Sequence, residues 1–181
     1  MRILGVSGTI IGSKTAILVD SVLRIIKSKH PEIETELLDL RDYQVEFCDG
    51  RKPELYNSDT NMVMKAVSEA DFYLIGFPIF NGSFPAPLKN IFDLLPPSVF
   101  RHKVMGFAAN GGTYQHYLVI ENQLKPIAGY YRSYVAPSYV YVNNSHFNDA
   151  NEIADQNILD RIKDLAEELV MMHKALAKSM I

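Results

Sequence analysis

Short apolar runs and amphipathic stretches alternate along the whole chain. The apolar runs predict five β-strands, at 2–6, 34–40, 71–77, 103–109 and 133–142. Apolar residues three and four positions apart predict helices at 14–28, 60–69, 86–95, 117–131 and 152–178. In the fourth helix, Pro126 predicts either a kink or a new first turn, because proline lacks the N–H that a helix interior needs. The polar segment 41–59 is predicted to be a connecting loop.

This alternation of strands and helices predicts an α/β fold in which helices cover both faces of a parallel sheet. Because crossovers between parallel strands are right-handed, few topologies are compatible with it. We predict a doubly wound, five-stranded parallel sheet with strand order 2-1-3-4-5. Such sheets bind ligands at the carboxyl ends of their strands, where the winding reverses. The loops after the first, third and fourth strands are therefore the candidate site.

The composition narrows the class of function. Of the 181 residues, 48% are hydrophobic, which is enough for a substantial core. A net charge of −3 does not indicate binding to nucleic acid or to an anionic membrane. Cys48 is the only cysteine, and the sequence shows neither a signal peptide nor a membrane-spanning run, so we expect a cytoplasmic protein. The five histidines lack metal-ligand spacing, so no metal site is expected.

The loop after the first strand, SGTIIGSKT, combines hydroxyl groups with one cation. The hydroxyls belong to Ser7, Thr9, Ser13 and Thr15, and the cation is Lys14. The free N–H groups and the dipole of the following helix attract an anion, so this loop suits a phosphate. An ordinary turn in which Ser13 caps the helix explains the same residues equally well. Neither common glycine pattern for nucleotide binding is present.

The loop after the third strand, PIFNGSFP, is rich in proline. Pro78 stiffens the exit from the strand, Phe80 is aromatic, and Asn81-Gly82 can form a tight turn with positive φ. Together with Ser83, the loop could offer donors to the edge of a flat heteroaromatic ring. A rigid connector without a ligand is the alternative, and this loop alone favours it.

The loop after the fourth strand, NGGTY, contains two glycines that allow a ligand close to the backbone. Asn110 and Thr113 could hydrogen-bond an imide-like edge, and Tyr114 could stack on a ring. Each of the three loops is a weak signal by itself. Their predicted position at one edge of the sheet gives an anion-binding loop, a ring slot and a ring edge, which together describe a site for FMN.

Two segments resemble the NADPH-dependent FMN reductases, which are flavodoxin-like proteins. PIFNGSFPAPLKNIFDLL matches a signature of that family at Pro78, Leu88, Lys89 and Asp93. NGGTYQHYLVIENQLKPI is similar to the FMN reductases that supply two-component alkanesulfonate monooxygenases, at Gly111, Gly112, Thr113, His116, Leu124, Lys125 and Pro126. The resemblance covers about residues 2–142.

The resemblance implies a single flavodoxin-like FMN-binding domain over residues 1–181. It implies an NAD(P)H-dependent FMN reductase that transfers hydride from NADPH or NADH to FMN without a dedicated catalytic side chain. The amides of Gly111 and Gly112 are candidates to stabilise the reduced flavin. A homodimer or homotetramer is implied, with a flavin-dependent monooxygenase as a partner. The cofactor-binding residues implied are Thr9, Ser13, Lys14, Thr15, Pro78, Ile79, Phe80, Asn81, Gly82, Ser83, Asn110, Gly111, Gly112 and Thr113.

The sequence departs from the family pattern at three places. The first loop lacks the arginine that the family often has, and Lys14 replaces it only as a point charge. Phe80 stands where tyrosine is common, and Asn122 where some alkanesulfonate-system reductases insert a tyrosine as a π-bulge. Two alternatives stay open: a reductase of quinones, azo or nitro compounds that keeps FMN bound, and a non-enzymatic electron carrier.

Overall fold

A parallel five-stranded sheet with the order β2-β1-β3-β4-β5 forms the centre of the computed structural model, which describes residues 1–179. The predicted fold and strand order are confirmed. The strands are β1 Arg2–Ser7, β2 Glu34–Asp39, β3 Phe72–Pro78, β4 Val104–Asn110 and β5 Tyr134–Val142. The helices are α1 Lys14–Lys29, α2 Ser58–Glu69, α3 Ala86–Leu94, α4 Lys125–Tyr130 and α5 Gln156–Ser179.

Two hydrophobic clusters lie on opposite faces of the sheet. The helices α2, α3 and α4 pack on one face, around Tyr73, Phe77 and Phe107. The helices α1 and α5 pack on the other face, around Phe72 and Leu74. Since neighbouring residues of β3 belong to different clusters, every residue of that strand is buried, as its continuous apolar run predicts. Among the described residues, no helix is long and apolar enough to cross a lipid bilayer.

The stretch predicted as one helix at 117–131 is helical from 118 to 130, but its hydrogen-bond pattern changes along it. Tyr114–Tyr117 is a 3₁₀ turn, Ile120–Leu124 is π-helical, and α4 begins only at Lys125. Pro126 explains the π-helical stretch, because its ring would collide with the carbonyl of the residue four positions earlier in a regular α-helix. The N–H of Lys125 bonds the carbonyl of Ile120, five positions back. The predicted helix is confirmed for residues 118–130, and the predicted new first turn at Pro126 is confirmed as the start of α4.

Helix α5 begins at Gln156, so the predicted start at residue 152 is wrong. The carboxylate of Asp155 accepts a hydrogen bond from the N–H of Ile158 at 3.1 Å, which caps the first turn. Glu152 belongs to the preceding loop, where its N–H donates to the side chain of Asn148 at 2.9 Å. The local Asn148 contact therefore competes successfully with helix formation at this position.

Helix α1 lies very close to the sheet at Gly76. A Cβ atom there would lie 2.2 Å from Cγ2 of Val19 and 3.2 Å from the carbonyl oxygen of Val6. We expect Gly76→Ala to lower the free energy of unfolding by about 1–3 kcal/mol, the usual cost of overpacking a core. Urea unfolding measures this loss. The double variant with Val19→Ala should lose less than the sum of the two single losses, and simple additivity would contradict the close contact.

Candidate functional site

The loops after β1, β3 and β4 meet at the carboxyl edge of the sheet, as the strand order requires. They surround a cavity of about 330 Å³. The cavity is lined by Ile11, Gly12, Ser13, Lys14, Thr15, Pro78, Phe80 and Asn110. Residues from all three loops thus face one space, although Asn110 lies 95 positions after Thr15 in the sequence.

Backbone hydrogen bonds hold these loops at fixed positions. The bonds run from Gly8 N to Gly76 O (2.8 Å), from Ile79 N to Asn110 O (2.8 Å) and from Gly111 N to Val142 O (3.0 Å). Each of these bonds extends the pairing between two neighbouring strands by one residue beyond the end of a strand. The Gly111 amide is therefore already bonded within the sheet, and its predicted role as a donor to a ligand is wrong.

The N-terminus of α1 faces the cavity without a side-chain cap. Ser13 occupies the N-cap position, but its side chain makes no capping hydrogen bond. Its hydroxyl oxygen instead accepts a bond from the side-chain amide of Asn151 at 2.9 Å. The first turn of α1 contains no acidic residue. The positive end of the helix dipole therefore acts on the cavity without a neutralising carboxylate in that turn.

The two threonines of the first loop have different roles. Thr9 is 1% exposed, and its hydroxyl bonds both the N–H and the carbonyl of Ile11. Thr9 therefore shapes the loop from within. The hydroxyl of Thr15 donates to the side-chain oxygen of Asn110 at 2.6 Å. This bond joins the first turn of α1 to the end of β4, and both of its partners line the cavity.

A fourth segment, which follows β5, contacts two of the residues that line the cavity. The ammonium group of Lys14 donates to the side chain of Asn144 at 2.8 Å and lies 4.7 Å from the ring centroid of Phe147. Asn151 bonds Ser13 from the same segment. The site prediction missed Asn144 and Asn151, although the polar run NNSHFNDAN follows a strand that ends at the same edge.

The residues Phe80–Ser83 form a tight turn at the sheet edge. The backbone of Phe80 and Ser83 exchanges two hydrogen bonds, of 2.9 and 3.0 Å. Asn81 and Gly82 have φ values of +50° and +76°, the conformation for which an Asn-Gly pair is favoured. Both are exposed at the tip, whereas Ile79 is 8% exposed and packs into the core beneath.

The loop after β4 is supported from below by Tyr141. The hydroxyl of Tyr141 donates to the carbonyl oxygen of Thr113 at 2.5 Å. Burial raises the pKa of this hydroxyl, so it remains a protonated donor at neutral pH. Gly112 and Thr113 are exposed above it. Nδ1 of His116 is buried close to Gly111 and has no hydrogen-bond partner among the described residues.

A larger cavity of about 550 Å³ adjoins this loop on the outer side of β5. Its lining is Tyr114, Tyr117, Tyr139, Tyr141, His146, Asp155, Asn157, Ile158 and Arg161. Tyr141 contributes to this lining and also bonds the loop that follows β4. Within residues 1–179, no three His, Cys, Asp or Glu side chains gather into a metal-binding group.

The sequence of this chain matches a known protein family. The family model described as NADPH-dependent FMN reductase matches residues 1–147. The NAD(P)H-dependent FAD/FMN reductase of Geobacillus thermodenitrificans is 58% identical over 176 residues, which cover 97% of this chain and 95% of that protein. The NADH-dependent FMN reductase SfnF of Pseudomonas fluorescens is 28% identical over 160 residues, covering 88% of this chain and 84% of that protein.

Solved structures show the fold. An NADH:FMN oxidoreductase in its apo form superposes with a TM-score of 0.78 at 20% identity, covering 94% of this chain and 89% of that one. A flavodoxin from the domain Archaea superposes with a TM-score of 0.67 at 13% identity, covering 96% and 99%. At these identities the likeness establishes a flavodoxin-like fold.

Proposed function

Because the chain belongs to the NADPH-dependent FMN reductase family, we propose that the loops at the carboxyl edge of its sheet hold FMN. The protein is an NAD(P)H-dependent FMN reductase, an oxidoreductase that uses a flavin and a nicotinamide nucleotide. We also propose that residues 1–181 form one flavin-binding domain.

The uncapped N-terminus of α1 is the observation that carries this proposal. Its N–H groups, the hydroxyls of Ser13 and Thr15 and the ammonium of Lys14 surround one cavity. This donor set fits a phosphate dianion, which accepts hydrogen bonds and is attracted by the helix dipole. The Thr15 hydroxyl has one proton, so it would exchange its bond to Asn110 for a bond to the phosphate. The hydroxyl of Ser7, which the structure places at the end of β1, is buried without a hydrogen-bond partner among the described residues.

The flavin ring is proposed to lie between the Phe80–Ser83 turn and the loop at Asn110–Thr113. Pro78, Phe80 and Asn110 connect these loops to the phosphate end, because they line the same cavity. Since Gly111 is bonded within the sheet, the exposed amides of Gly112 and Thr113 are the proposed donors to the ring edge. Ile79 supports the site from the core.

FMN, when bound, supplies the redox chemistry, by accepting the reducing equivalents of NAD(P)H. The side chains of this chain then act through binding and orientation. The bond from Tyr141 to Thr113 fixes the peptide that follows Thr113, so the loop is preorganised before the flavin arrives. Phe80 and Tyr114 are 40% and 62% exposed, which leaves aromatic surface for the nicotinamide nucleotide. No side chain is assigned as a catalytic acid or base.

We further propose a homo-oligomer that works in the cytoplasm and can supply reduced flavin to a monooxygenase. Large apolar side chains are exposed around the site, at Ile10, Ile11, Phe80, Tyr114 and Leu118. Such exposed apolar surface is typical of interfaces between proteins. The similarity of 110–127 to reductases of two-component systems supports the monooxygenase partner.

FMN titration of the purified protein tests the proposed function. We expect FMN fluorescence and absorbance to change on binding, and anaerobic NADPH to bleach the flavin. Riboflavin, which lacks the phosphate, should bind at least about tenfold more weakly, because hydrogen bonds to charged groups contribute about 1.5–3 kcal/mol. Equal affinity for riboflavin and FMN would overturn the phosphate assignment. Absence of FMN binding would overturn the site as a whole.

A further inference from the structure

The π-helical segment Ile120–Leu124 places a glutamine against the turn that is proposed to hold the flavin ring. The hydroxyl of Ser83 donates to Oε1 of Gln123 at 2.7 Å. Nε2 of the same glutamine donates to the carbonyl oxygen of Gly82 at 3.2 Å. One side-chain amide thus uses both its acceptor and a donor on two adjacent residues of the turn.

The turn has few other contacts that fix its position. Asn81 and Gly82 are exposed, and a Cβ atom on Gly82 would meet nothing within 4 Å. The two backbone bonds between Phe80 and Ser83 set the shape of the turn but do not attach it to the rest of the fold. Within residues 1–179, the side-chain hydrogen bonds that reach Gly82 and Ser83 from outside the turn come from Gln123.

The π-helical segment is itself held rigidly. Ile120 and Leu124 are fully buried and anchor the segment in the core on either side of Gln123. Pro126 excludes a continuous α-helix through this region, and the wider turn is closed by the bond from Lys125 N–H to Ile120 O. The inserted π-turn therefore determines where Gln123 projects, and such turns are frequent at functional sites.

We propose that Gln123 is a positioning residue for the flavin, acting through Gly82 and Ser83 and not by direct contact with the reacting atoms. This inference rests on the proposed function of the loop after β3. Without the two hydrogen bonds from Gln123, the Phe80–Ser83 turn of the free protein would populate several positions. FMN binding would then have to select one of them, which lowers the observed affinity.

The test compares FMN affinity between wild type and Gln123→Met, which keeps the length of the side chain and removes both hydrogen bonds. We expect the dissociation constant for FMN to rise about tenfold. The rate at saturating FMN should fall less, because bound flavin restores the turn. Gln123→Glu keeps the acceptor for Ser83 and loses the donor to Gly82, so its dissociation constant should be intermediate.

Two controls separate positioning from a merely structural role. Gln156→Met makes the same chemical change at a glutamine of α5 whose side chain bonds Asp160, and it should bind FMN like wild type. Combining Gln123→Met with Ser83→Ala should raise the dissociation constant by less than the product of the single effects. Wild-type affinity in Gln123→Met, or a lower melting temperature with unchanged affinity, would overturn the inference. Either result for the variant would leave the proposed function intact as long as the wild type binds FMN. Failure of the wild type to bind FMN would overturn the proposed function and the role of Gln123 together.

Discussion

Gly111→Ala should lower kcat/KM for NADPH-dependent FMN reduction by about 100-fold, the effect expected when a binding element is misplaced by about 1 Å. The new Cβ atom would lie 2.5 Å from the hydroxyl oxygen of Tyr141 and 3.2 Å from Cγ1 of Ile79. Tyr141 is 5% exposed and has little room to retreat. The loop must therefore shift, and the bond from Tyr141 to Thr113 is broken or distorted. Steady-state kinetics with varied FMN measures the loss.

A second substitution checks the cause of that loss. Tyr141→Phe removes the hydroxyl that would collide with the new methyl group, so Gly111→Ala/Tyr141→Phe should recover part of the activity. Gly129→Ala is the matched control, because a Cβ atom at that position in α4 meets nothing within 4 Å. It should keep wild-type activity. Tyr141→Phe alone measures the cost of losing the bond to Thr113. A double variant that falls below Gly111→Ala by that same factor would show that the Tyr141 contact is not responsible.

Thr15→Val should raise the dissociation constant for FMN by about 10- to 100-fold. The substitution removes a hydroxyl that donates to Asn110 at 2.6 Å, at a side chain that is 2% exposed. The side-chain oxygen of Asn110 is then left without this partner in the free protein. The cavity also loses a hydroxyl whose single proton is proposed to turn from Asn110 to the phosphate when FMN binds. Loss of a hydrogen bond to a charged group contributes about 1.5–3 kcal/mol, which corresponds to this range. Fluorescence titration with FMN measures it.

Titration with FMN and with riboflavin separates the loss of a phosphate contact in Thr15→Val from the loss of the bond to Asn110. Riboflavin affinity should change much less than FMN affinity, because riboflavin has no phosphate to bind. Thr15→Ser retains the hydroxyl and should stay close to wild type. Thr35→Val makes the same change in β2, away from the cavity, and should not alter FMN binding. An equal loss of riboflavin and FMN affinity in Thr15→Val would contradict a role in phosphate binding.

The parts of the fold that follow from local pattern were predictable. The continuous apolar run of β3 indicated a strand buried on both faces, and the structure shows every residue of Phe72–Pro78 buried. Right-handed crossovers left few topologies, and the order 2-1-3-4-5 followed. The Asn81-Gly82 pair predicted a turn with positive φ, and both residues have it.

The partners of individual polar groups were not predictable, because they depend on contacts between segments far apart in the sequence. The hydroxyl of Thr9 bonds Ile11, only two positions further on, whereas that of Thr15 reaches Asn110, 95 positions away. The predicted ligand role of the Gly111 amide failed for the same reason, since its partner Val142 lies on the next strand. Pro126 predicted a kink or a new first turn, and the family resemblance matched Asn122 to a π-bulge position, which lies inside the observed π-helical segment Ile120–Leu124.

The sequence by itself determined the family, the order of strands and helices, and the three loops that must meet where parallel strands end. These features depend on periodicity, on glycine and proline positions and on chain connectivity, all of which are local or topological. Only the tertiary structure decided that the segment after β5 joins the site through Asn144 and Asn151, and that Gln123 holds the Phe80–Ser83 turn. Those contacts form when packing brings distant polar groups within hydrogen-bond distance, and no pattern along the chain encodes that distance.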